Sequence, residues 1–167
     1  MDRWTLSLHE AGHAVAFHVL SHGGTVTATL HEFGSAAWHG SDLMPTDSAM
    51  VTAAGPLAES LAERHTSPEL PPTSVDRPPV VETLATAETA AGLRNDMRKA
   101  LPDHVHIARF CISGVEGQPE RWARRHVWIH LIAERLIRDH ERSIVEAARV
   151  LYLRGIVSLP LTERTPH

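Results

Sequence analysis

The sequence predicts a mainly α fold of the α+β class, with a small antiparallel sheet beside an N-terminal helix. Three observations predict it. Apolar residues recur at helical spacing through the first 20 residues and again through most of the C-terminal half. A short stretch, Thr25 to Leu30, alternates as a strand does. The pentapeptide His9-Glu10-Ala11-Gly12-His13 lies inside the first helical run rather than between elements. At 167 residues and 43% hydrophobic content, the chain is expected to form one domain over 1–167 with a packed core.

The first helix is expected from about Arg3 to Leu20, with Trp4, Leu8, Ala11, Val15 and Val19 as one stripe. Ser7 and Glu10 also match a capping box that would start the helix at Leu8. Trp4 and Leu6 already fit the helical pattern, which favours the earlier start. Gly23-Gly24 ends the helix. In the following strand Val26, Ala28 and Leu30 share one face, and Ala36 to His39 can return beside it after Gly34. The edge of such a sheet can hold an extended peptide by strand addition.

A second helix is expected over Asp47 to Arg64, entered through Pro45-Thr46. Gly55-Pro56 interrupts it, so a kink or a close helix contact is expected there. Five prolines between Thr66 and Val80 mark an internal loop at 66–80. Helices then follow over Glu82 to Ala91, Leu93 to Leu101, His104 to Ile112, Glu120 to Arg138 and Arg142 to Arg154, with Gly155 as the last stop. Ile132, Leu136, Ile144, Ala147, Ala148 and Leu151 would face one another in an antiparallel pair formed by the last two.

Composition excludes several function classes. Net charge is −4, with 16 basic and 20 acidic residues and no basic run, which disfavours nucleic-acid binding. Cys111 is the only cysteine, so no internal disulfide forms, and it reads as a small buried residue. No apolar stretch is long enough to cross a membrane. The N-terminus lacks a signal-peptide pattern, so a cytoplasmic location is expected.

The chemistry begins at residue 9. One helical turn separates His9 from His13, so both imidazoles leave the same face and can share a metal ion, with zinc expected. Glu10 lies beside them, where its carboxylate can accept a proton from a metal-activated water. Catalytic zinc takes three protein ligands, so a third must come from downstream. Asp96, Glu59, His65, Asp42 and Asp47 compete, and spacing does not choose among them. His126 and His130 form a second pair four residues apart, and His104 and His106 flank Val105. These read as exposed helix faces. Trp38, beside His39 on a possible cleft strand, reads as core packing in preference to a substrate contact.

His9-Glu10-Ala11-Gly12-His13-Ala14-Val15 resembles the zinc motif of the FtsH-like metallopeptidases, the proteolytic domains of membrane-bound AAA proteases. Ala53-Ala54-Gly55-Pro56-Leu57-Ala58-Glu59 is similar to the family's small-residue helix after the sheet. Asn95-Asp96-Met97-Arg98-Lys99-Ala100 resembles the segment carrying its third zinc ligand, and Leu131 to Leu161 its closing helices, ending before a Gly-Ile-Val-Ser turn. The resemblance implies zinc on His9, His13 and Asp96 with Glu10 as catalytic base, and prefers Asp96 to Glu59. Family members also carry an ATPase module, whereas this sequence holds no G-x-x-x-x-G-K-[ST] phosphate loop. The expectation is therefore a stand-alone, ATP-independent zinc endopeptidase acting on peptide or protein segments. A homo-oligomer or a separate ATPase partner is compatible with it. Two alternatives are an inactive metal- or partner-binding module of the same fold and a regulatory metallopeptidase of the ImmA/IrrE type. A helix-turn-helix segment would favour the second, and none is evident.

Overall fold

The computed structural model describes residues 1–30, 35–38 (backbone only), 43–69 and 103–160. Five α-helices and three short strands follow in chain order. They are α1 (Arg3–Leu20), β1 (Val26–Thr29), β2 (Ser35–Trp38), α2 (Pro45–Ala58), α3 (Asp103–Ile112), α4 (Pro119–Asp139), α5 (Glu141–Arg154) and β3 (Ile156–Leu159). A 3-10 segment, Glu59–Glu63, continues α2. The mainly α reading with a small antiparallel sheet holds. The expected helices over Glu82 to Ala91 and Leu93 to Leu101, Asp96, Asp42 and most of the proline-rich loop lie outside the described residues.

Asp2 caps α1, accepting hydrogen bonds from the Thr5 backbone N–H (2.9 Å) and hydroxyl (2.7 Å). The Ser7–Glu10 capping box does not form. Ser7 instead donates to the Arg3 carbonyl at 2.8 Å, and Glu10 is buried. At the other end His22 and Gly23 take positive φ and the Gly23 N–H donates to the His18 carbonyl, which closes the helix.

β1 is the middle strand of the sheet, ordered β2-β1-β3 and antiparallel throughout. Val26 and Ala28 face the core as the alternation predicts. The third strand corrects the reading of Gly155-Ile156-Val157-Ser158 as a turn. Gly155, at φ 76°, ends α5, and the chain then pairs Ile156 to Leu159 with β1. Val157 and Leu159 are buried and Ile156 is exposed, a period-2 pattern too short to stand out beside a long helix.

α1 is the central helix. Leu8, Ala11 and Val15 pack with Val51, Ala54 and Ala58 of α2 and with Ile144, Ala148 and Leu151 of α5. Gly12 allows the α1–α2 approach, because a Cβ there would stand 2.7 Å from the Ala54 carbonyl oxygen and from Ala58 Cβ. The opposite side of α2 joins a second cluster, in which Ala49, Met50 and Ala53 meet Ile107 and Cys111 of α3 and Ile129 and Ala133 of α4. The last two helices are therefore not chiefly a pair with each other. α5 packs on α1 and α4 packs on α2. Leu136, Ile144, Ala147, Ala148 and Leu151 are buried as expected, while Ile132 is only partly so. No described helix is long and apolar enough to cross a membrane.

Candidate metal centre

α1 presents His9 and His13 from one face, with ring centroids 4.7 Å apart and Nε2 atoms 3.0 Å apart. Asp103, the first residue of α3, reaches both. Its Oδ2 lies 3.2 Å from His9 Nε2 and 3.4 Å from His13 Nε2. Three ligand atoms bound at about 2.0–2.2 Å to a tetrahedral ion stand about 3.3–3.5 Å apart, so the spacing fits such an ion with a small adjustment. His9, His13 and Asp103 could hold a metal ion.

The far ring nitrogens are also fixed. His13 Nδ1 donates to the Val51 carbonyl at 2.8 Å, and His9 Nδ1 lies 2.7 Å from Glu59 Oε1. With Nδ1 engaged in this way, each ring turns Nε2 toward Asp103, and loss of the Nε2 proton would leave that nitrogen able to bind a metal. The backbone enforces the placement of His13 in another way. Gly55 lies against the imidazole so closely that a Cβ would collide with Nε2 and Cε1. The expected close contact at Gly55-Pro56 is thus with the His13 side chain, and Pro56 is accommodated inside α2.

The electrostatics follow from burial and pairing. Burial alone would lower the His9 pKa, but hydrogen bonds to Asp103 and Glu59 and the Glu10 charge outweigh it and raise the value to about 9. Burial would raise Asp103, yet hydrogen bonds from His13 and His9 hold it well below the usual carboxylate range. Glu10 is pushed upward by burial, partly offset by the charges of His13 and His9. Its Oε2 is buried and has no hydrogen-bond partner among the described residues. A buried carboxylate oxygen left unpaired is costly, so the position calls for a water or a substrate atom.

No protein-family model matches this chain, and no curated protein matches it significantly.

The structure brings together His9, Glu10 and His13 as the pentapeptide implies. Asp96 lies outside the described residues, and the carboxylate that meets both histidines is Asp103. The sequence reading missed Asp103 because it began that helix at His104. The available signal was an acidic residue directly after Pro102 at a helix start, next to a histidine-rich turn. Glu59 is not placed as a ligand. It contacts the nitrogen of His9 that faces away from Asp103. His65 lies elsewhere, its Nε2 2.7 Å from Glu141, and Asp47 sits in the first turn of α2. His126 and His130 make a ring contact of 4.3 Å on exposed α4, as an ordinary helix face does. Cys111 is fully buried. The Trp38 side chain is outside the described residues.

Proposed function

We propose that the chain is a zinc-dependent, ATP-independent endopeptidase with an FtsH-like arrangement of its motif helix, in which His9, His13 and Asp103 hold the metal. The observation that carries this reading is the buried Glu10 oxygen, without a hydrogen-bond partner among the described residues, beside three residues that could hold a metal ion. A purely structural zinc site fills four positions with protein ligands, whereas the group here has three members among the described residues, the number used by hydrolytic sites.

When bound, zinc supplies Lewis acidity that polarises a carbonyl and draws the ionisation of a ligated water toward neutrality. The residues of the chain do the rest. Glu10 accepts a proton through Oε2 and returns it to the departing amine, a role suited to a carboxylate that burial makes more basic. Glu59 and the Val51 carbonyl keep His9 and His13 in the tautomer that ligates through Nε2. The sheet beside α1 has β2 and β3 as its edges, and an extended substrate can pair with a strand edge.

The test combines metal content with cleavage of unfolded casein by the wild type and Glu10→Gln. Zinc at one per chain in both, with hydrolysis only in the wild type, is the expected result. Equal hydrolysis by the variant would remove Glu10 from the mechanism. Zinc binding without hydrolysis in either would favour a metal-binding module.

A further inference from the structure

A groove lies between α2 and α3, beside the candidate metal centre in sequence position on both helices. Its two walls start one turn from residues that touch the histidines. On α2, Gly55 abuts His13, and Thr52 lies one turn earlier. On α3, Asp103 meets both histidines, and His106 lies one turn later. The groove then continues past Ser48 on one wall and Arg109 on the other, and its volume is about 320 Å³.

Its lining is chemically one-sided. Ala49 and Phe110 provide an apolar floor, packed into the second core cluster. The rim carries hydrogen-bond donors, namely the Arg109 guanidinium, the His106 ring and the Ser48 hydroxyl. Among the described residues no acidic side chain lines it, and Arg109 has no ion-pair partner. The groove also reaches Pro45, at the N-terminus of α2, where the N-cap residue Met44 makes no side-chain capping bond. The N–H groups of that first turn add partial positive charge. Asp47 belongs to the same turn but does not line the groove.

We propose that this groove is a substrate subsite for a carboxylate, which rests on the peptidase reading above and names the substrate class that reading leaves open. Arg109 is six residues beyond Asp103, about 9 Å along the helix axis. An extended peptide advances about 3.3 Å per residue, so the carboxylate belongs about three residues from the bond being cut. An aspartate or glutamate side chain supplies it, or the substrate's own C-terminal carboxylate does.

The test uses fluorogenic peptides with Glu or Gln at each position two to four residues from the scissile bond, on either side. Two further Gln peptides end at that distance, one with a free carboxylate and one amidated. Cleavage is measured with the zinc-loaded wild type, and binding by anisotropy with zinc-loaded Glu10→Gln, each also carrying Arg109→Ala or Arg109→Glu. We expect the carboxylate form to be favoured about five-fold in both readouts, the scale of an exposed charge pair. Arg109→Ala brings that ratio to near one, and Arg109→Glu inverts it. Preference confined to the peptides with Glu identifies a side chain as the source, and preference confined to the free terminus identifies the chain end. A ratio near one in the wild-type background, a ratio that survives Arg109→Ala, or no binding overturns the subsite. Cleavage without carboxylate preference leaves the peptidase reading standing and removes the subsite. Arg109-dependent binding without cleavage does the reverse.

Discussion

Gly55 and His13 are in such close contact that the glycine hydrogen occupies the only space available to a side chain. Alanine at this position would gain helix propensity worth about 0.5–1 kcal/mol. Overpacking against a ring fixed by its Val51 hydrogen bond costs about 1–3 kcal/mol, so the clash wins. Gly55→Ala is expected to lower the melting temperature and to reduce zinc occupancy together. Unchanged occupancy would mean that His13 has room to turn aside without leaving the metal.

Glu59 acts on the site through His9. Removing the carboxylate with Glu59→Ala leaves the 2.7 Å contact to Nδ1 unmade and frees the ring to rotate. Loss of such an orienting partner typically lowers metal affinity about 10–100-fold. Glu59→Gln, which retains a carbonyl acceptor, should fall between the wild type and the alanine variant. Chelator competition would measure all three, and an alanine variant that binds as tightly as the wild type would contradict the assignment.

Asp103 and Asp96 make opposite predictions. Asp103→Ala should abolish stoichiometric zinc binding, since it removes the carboxylate that meets both histidines. Asp96→Ala should keep one zinc per chain. The converse result would return the third ligand to the position that the FtsH-like resemblance implies.

Zinc uptake should depend on pH. In the metal-free protein His9 holds its proton up to about pH 9. Zinc must displace that proton at neutrality, so apparent affinity should rise about tenfold per pH unit from pH 7 and level off above about 9. The same raised pKa gives the metal-free fold a stabilising contribution that is complete below about pH 6.5 and vanishes as pH rises through about 9. Isothermal titration across this range would detect either a slope or its absence.

The N-terminal cap offers a test remote from the metal. Hydrogen bonds from Thr5 hold the Asp2 pKa below its ordinary value. A depressed pKa stabilises above the ordinary value of 3.8 and loses that contribution as pH falls through the folded value. Asp2→Ala should cost about 1 kcal/mol at neutral pH, the usual worth of a cap. Urea unfolding of both proteins should show the difference shrink at strongly acid pH.

How much of this was legible in the sequence follows from the range of each interaction. α1 and its histidine pair were readable because helical periodicity and the pentapeptide are local. The bounds of α4 and α5 were equally local and lie within one residue of those expected, with Gly155 as the last stop. Asp103 was not, because nothing in Leu101-Pro102-Asp103 says that this helix start arrives opposite residue 9. Glu59 appeared as a candidate ligand, but only the packing of α2 on α1 turns it toward Nδ1 rather than Nε2 of His9. β3 escaped notice because its four residues make sense only when paired with β1.

α2 separates two apolar clusters, and the metal candidates are divided between them. His9 and His13 stand on the helix at the centre of the first, while Asp103 begins the helix anchored in the second by Ile107 and Cys111. A bound ion would therefore act as a rivet through two separately packed halves. Its dissociation constant would then report how firmly α3 is docked, so loosening the seat of Cys111 would weaken metal retention without altering any atom that touches the ion.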